Sequence, residues 1–199
     1  MECHCKNSSD KGQRSMAKKT PSLPELIAQL AEALRAYDRL AFDEEYDHPL
    51  GKPCSDRQLA TLEKRLGKPL PPSYREFLKL HNGWGELSGD AKLLSVEDQR
   101  AEWVEEHLED LQEIFDELDQ ENPFENGALP VFLGEDSNQC LYIDPHTVRS
   151  NGEMDFVALD ITTEERRFPD FTSFLIHKLN LLRDMIDDET KGVSRDDAE

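Results

Sequence analysis

Leu66-Gly67-Lys68-Pro69-Leu70-Pro71-Pro72-Ser73-Tyr74-Arg75-Glu76-Phe77-Leu78-Lys79-Leu80-His81-Asn82-Gly83-Trp84 is the stretch whose reading decides the fold. Gly67 suits the left-handed position that closes a helix. The prolines that follow hold the chain extended, and Pro72 suits the first turn of a new helix. Tyr74, Phe77, Leu78 and His81 recur on one face of that helix. Asn82-Gly83 ends it, because both residues accept positive φ cheaply. A strand is expected at once, over residues 84–87. The unit is helix, stiff connector, helix, strand.

The same punctuation extends outward. Upstream, Ser55 and Gln58 form a capping box for a helix whose buried stripe is Leu59, Leu62 and Leu66. Ser22 and Glu25 form another, opening a helix over residues 23–40 with Leu23, Ile27, Leu30, Leu34 and Tyr37 at helical spacing. Downstream, a strand is expected over 91–96, then a long acidic helix over 97–120 with the stripe Val104, Leu108, Leu111, Phe115 and Leu118. Three apolar, β-branched or aromatic runs read as strands: 129–133, 139–143 and 155–161. Residues 134–138 read as a hairpin loop. A last helix is expected over 171–186, opened by Asp170, with Phe174, Leu175, Lys178, Leu182 and Met185 along one side.

This order predicts an α+β domain: a small, mainly antiparallel sheet packed with helices, and one long acidic helix inserted between strands. The domain is expected over residues 21–187. Residues 1–20 read as a disordered tail, with five Lys/Arg against two acids, and residues 188–199 as an acidic flexible tail. Met16-Ala17-Lys18-Lys19 also reads as an alternative translation start.

The 66–84 stretch resembles the LG-x-x-LP-x-x-Y-x-x-FL…NG signature of the SUKH superfamily (Smi/Knr type). Weaker similarity runs from about Glu25 to Ile186, including the aromatic-led last helix (Phe168, Phe171, Phe174, Leu175). The resemblance implies a non-enzymatic protein-binding domain. Bacterial members are inferred to be immunity proteins that neutralise toxins, many of them nucleases; eukaryotic members are regulatory scaffolds. Tyr74, Phe77, Leu78 and Gly83 read physically as architecture rather than as binding residues.

Charge narrows the partner. The formal net charge is -20 and the isoelectric point about 4.6. Such a surface repels phosphate backbones and anionic membranes, and it favours encounter with cationic proteins. The sharpest feature is residues 97–125, with 13 acids and the single base Arg100. Like charges four residues apart, such as Glu102 with Glu106 or Glu109 with Glu113, destabilise a helix by about a few tenths of a kcal/mol per pair. Acids at its C-terminal end also oppose the macrodipole. A helix selected for stability alone would mix in lysines. The expected partner is therefore a basic protein, a toxin domain among the candidates, engaged by Glu102, Glu105, Glu106, Glu109 and Glu113, with Trp84 or Trp103 as an exposed aromatic anchor. The alternative is a regulatory scaffold that binds a signalling protein.

Other chemistry finds no support. No Gly-rich phosphate loop, G-x-S-x-G elbow or HExxH-like spacing occurs, so no catalytic residue, metal site or cofactor is expected. Cys3-His4-Cys5 is too tightly spaced for a usual zinc site. Cys54 and Cys140 suggest no disulfide framework, and a reducing cytosol is the expected compartment. No apolar run is long enough to span a membrane. Nothing in the sequence sets an oligomeric state.

Overall fold

The structure, a computed structural model, describes residues 21–134 and 139–196. The expected N-terminal tail and most of the 134–138 loop lie outside these residues. Helix α1 (Leu23–Phe42) opens where the Ser22 backbone N–H and Oγ both donate to Glu25, at 2.8 and 2.7 Å. Helix α2 (Asp56–Leu66) opens with a reciprocal box. The Ser55 N–H donates to Gln58 Oε1 at 2.8 Å, and the Gln58 N–H returns to Ser55 Oγ at 3.3 Å. Gly67, at φ +72°, closes α2 in the left-handed region.

Helix α3 (Pro72–Leu80) is tied down at its first turn. The Ser73 N–H and Oγ donate to the two oxygens of the buried Glu153, each at 2.8 Å, and Ser73 Oγ accepts from the Phe171 N–H at 3.0 Å. The end of α3 differs from expectation. His81 is already extended, and of the Asn82-Gly83 pair only Gly83 takes positive φ, +86°. Asn82 works through its side chain instead. It accepts from the Val96 N–H at 2.8 Å and donates to Glu97 at 2.6 Å.

Six antiparallel strands follow in sequence order as one meander: β1 (Trp84–Ser88), β2 (Ala91–Leu93), β3 (Leu129–Leu133), β4 (Gln139–Asp144), β5 (Asp155–Asp160) and β6 (Thr163–Phe168). Strand β6 was not expected. Its sequence, Thr-Glu-Glu-Arg-Arg-Phe, is charged, as suits an edge strand that must not pair with another chain. Helix α5 (Phe171–Asp196) is the last element described; it extends past the expected residue 186 and takes up residues 188–196 of the expected flexible tail, while 197–199 lie outside the described residues. Asp170 accepts from the Ser173 N–H at 2.7 Å.

The sheet separates two cores, and strand alternation sorts residues between them. Leu141, Ile143 and Phe156 face α1, α2, α3 and α5 in the larger core; Cys140, Tyr142, Val157 and Leu159 face the other way. A register shift between Pro130 and Phe132 lets both Val131 and Phe132 join the larger core. Tyr74, Phe77, Leu78, Phe174 and Leu182 are buried there as expected, and Leu111 and Phe115 in the smaller core.

The acidic segment is not one helix from residue 97. Ser95 and Asp98 exchange hydrogen bonds, which starts a single 3-10 turn at Asp98–Arg100. Ala101 is extended, and helix α4 runs Glu102–Glu117. Leu118 lies beyond its end and is 53% exposed, so it drops out of the expected stripe.

Candidate functional site

Helix α4 lies on the sheet face opposite α1 and α5. Val104, Leu111 and Phe115 are buried against Leu133, Cys140, Tyr142, Val157 and Leu159, with Leu108 half-buried beside them. At ~100° per residue, that stripe leaves Glu102, Glu105, Glu106, Glu109 and Glu113 together on an outward arc of about 100°. All five are exposed.

The acids of α4 differ from most others that the sheet positions. On the same face, Arg167 gathers Asp144 at 2.8 Å, Asp155 at 3.4 Å and Glu164 at 2.8 Å. Glu97 and Asp98, part of the acidic run, are consumed by structure. Asp98 pairs with Lys92 at 3.4 Å, and Glu97 accepts from Gln58 at 2.7 Å and from Asn82 at 2.6 Å. Partial burial pushes the Glu97 carboxyl up, but those hydrogen bonds outweigh it and hold the group below the usual carboxylate range. By contrast, none of the eight carboxylates of α4 forms a salt bridge among the described residues. The last turn of α4 has no basic residue either. His107 is the one imidazole on α4. Burial holds its imidazole below the ordinary range, against the pull of Asp110 and Asp90.

The two tryptophans part company. Trp84 is 1% exposed, in the larger core on the other side of the sheet. It is no surface anchor: the strand register turns its indole inward. Trp103 stands on α4 itself, half-buried, with the Lys92 ammonium 4.4 Å from its ring centroid. It borders the acidic arc, half-exposed, whereas Trp84 does not. Beyond the C-terminal end of α4, Phe115, Glu121, Tyr142, His146 and Glu164 surround a recess of about 290 Å³.

This arrangement can attract and hold cations over a broad, water-exposed face. Among the described residues, no group of three His, Cys, Asp or Glu side chains could hold a metal ion, and no helix is long and apolar enough to cross a membrane. Cys3 and Cys5 lie outside those residues. The second large feature, a groove between α1, α5 and the sheet, escaped sequence reasoning. Its one signal was Lys178, a lysine on the apolar side of the last helix.

A search of curated proteins gives no significant match. Residues 53–177 match a family model that begins just before α2 and ends within α5, so it spans the whole sheet and the inserted acidic helix. On that match, the chain belongs to the SMI1 / KNR4 family (SUKH-1).

Proposed function

We propose that this is an immunity-type binding protein, which captures a basic toxin domain through the acidic face of α4 and occludes it. Domains of this family are of the immunity-protein and Smi/Knr type and are generally non-catalytic. The observation that carries the finer reading is the unpaired face of α4: eight carboxylates and no base along Glu102–Glu117. A helix that keeps this charge with no salt bridge among the described residues is suited to steering a cationic surface into place. Trp103 adds apolar area at the border of the arc, where partner contacts become desolvated. The inhibition is steric: a bound partner cannot present its own basic surface to a nucleic acid.

The test is capture from cells of the source organism, with the partner identified by mass spectrometry and then co-expressed with this protein. The expected result is a basic protein whose toxicity is suppressed by the wild-type chain and restored when the α4 glutamates are replaced by glutamine. A captured partner that is acidic, or that is bound equally well after those replacements, contradicts the reading.

A further inference from the structure

On the sheet face away from α4, a groove of about 940 Å³ opens between the C-terminal part of α1, the β1–β2 hairpin, the sheet and α5. Its volume is at the upper end of the range for sites that enclose a small organic ligand. Phe132, Leu141, Ala158 and Phe168 contribute apolar surface to it. Phe42, Tyr46, Leu181 and Met185 also line it, and these are four of the eight large hydrophobic side chains exposed in the described residues. Apolar surface concentrated in this way marks a binding groove rather than scattered exposure.

The polar groups in the groove are sorted by side. On the α1 side, Asp38 is occupied. Its Oδ2 meets His48 Nε2 at 2.7 Å and accepts from the Tyr46 N–H at 3.3 Å. His48 Nδ1 reaches the Glu86 carbonyl oxygen at 2.6 Å. Both ring nitrogens are thus engaged within the protein, and neither is open to a ligand. Glu86 is the other acid in the lining.

On the α5 side stand Lys178, His177 and Arg166. Arg166 donates to His177 Nδ1 at 3.0 Å, which requires the neutral imidazole there. Among the described residues, Lys178 has neither a salt bridge nor a hydrogen bond. Its ammonium lies over the Phe132 ring, 5.2 Å from the centroid. Burial pushes its amine down to about 8. A half-buried ammonium with no counter-ion among the described residues is unfavourable, and a carboxylate placed beside it removes that penalty.

We propose that this groove binds an amphipathic monocarboxylate, with its hydrocarbon chain along Phe132, Leu141 and Phe168 and its carboxylate on Lys178 and Arg166. A single negative charge fits better than an acidic protein would. A chain with net charge -20 repels a polyanion as a whole, whereas a monoanion pays little of that repulsion and takes the local cations. The apolar length of the groove selects against small hydrophilic acids such as acetate.

The experiment is calorimetric titration of the whole chain with dodecanoate, below the concentration at which it forms micelles, and with dodecanol as the uncharged control. Wild type is expected to bind dodecanoate at least tenfold more tightly than dodecanol. Lys178→Met is expected to abolish that preference while the protein stays folded, because it replaces an unpaired ammonium by an apolar side chain of similar length. Arg166→Gln, on the exposed edge, is expected to weaken dodecanoate binding several-fold and provides a second variant should the first misfold. Replacing the α4 glutamates should leave this binding unchanged, since they lie across the sheet. No dodecanoate binding, or equal binding by wild type and both variants, overturns the proposal. So does tight binding of an acidic leucine-rich peptide that dodecanoate fails to displace.

Discussion

Lys92 on β2 reaches across to Trp103 on α4: its ammonium lies 4.4 Å from the centroid of the Trp103 ring and also 3.4 Å from Asp98. One lysine thus ties Trp103 on α4 and the preceding 3-10 turn, through Asp98, to the sheet. The contact fixes the orientation of the indole before any partner arrives, which lowers the entropy lost on binding.

Trp103→Ala is therefore expected to act on dissociation. The complex with the basic partner should dissociate about tenfold faster or more, equivalent to roughly 1.4 kcal/mol or above, with little change in association rate. Surface-binding kinetics separate the two. Trp84→Phe, in the core, should instead lower stability and leave the kinetics of the folded protein unaltered.

Glu153 is the joint between α3 and α5, through Ser73. Glu153→Ala leaves the Ser73 amide without its acceptor in a part-buried site. The expected loss is about 1–3 kcal/mol of unfolding free energy, read by urea denaturation. Retention of wild-type stability would show that water replaces the carboxylate without penalty.

Two glycines at positive φ should respond differently to alanine. A Cβ on Gly67 meets nothing within 4 Å, so Gly67→Ala should cost only the left-handed backbone penalty of ~1 kcal/mol. A Cβ on Gly83 would stand 2.8 Å from the Leu93 carbonyl oxygen and 2.9 Å from the Ser95 nitrogen. Gly83→Ala should lower the melting temperature distinctly more, because backbone must shift as well.

The folded protein should also protect two thiols. Burial pushes the Cys54 thiol up to about 11, with Glu97 adding to the effect, and burial alone raises Cys140 well above its usual value. At pH 8, Cys54 therefore stays overwhelmingly in the unreactive thiol form. In a Cys3→Ser/Cys5→Ser variant, a disulfide reagent at pH 8 should label Cys54 and Cys140 orders of magnitude more slowly than in denaturant. Rapid labelling of the native variant would contradict this burial.

What the sequence made legible was local. The Ser22/Glu25 and Ser55/Gln58 boxes, Gly67, and the stripe from Tyr74 to Leu78 all depend on neighbours within a few residues, and each forms as expected. What it hid was nonlocal. Ser95 and Asp98 resemble the opening of α4, yet Ala101 breaks the helix after one 3-10 turn because Asn82 and Gln58 hold Val96 and Glu97 in place. Strand β6 carries no apolar alternation to betray it. The inward turn of Trp84 depends on β1 pairing with β2, with Trp84 opposite Leu93. The five glutamates share one face because helical spacing alone decides it, whereas their lack of salt bridges among the described residues became visible only with the basic side chains in place.

The most direct test of the central claim replaces Glu102, Glu105, Glu106, Glu109 and Glu113 together by glutamine and measures association with the basic partner by stopped flow at low and high salt. The screening length shrinks from about 10 Å at 0.1 M to about 3 Å at 1 M, so long-range attraction is lost first. Wild type should associate more slowly as salt rises. The variant should be slow already at low salt and nearly indifferent to more. Its fold should be unharmed or slightly more stable, because the like-charge pairs are gone. An association rate unchanged by both the substitutions and the salt would contradict the account and leave α4 as no more than a solvated face.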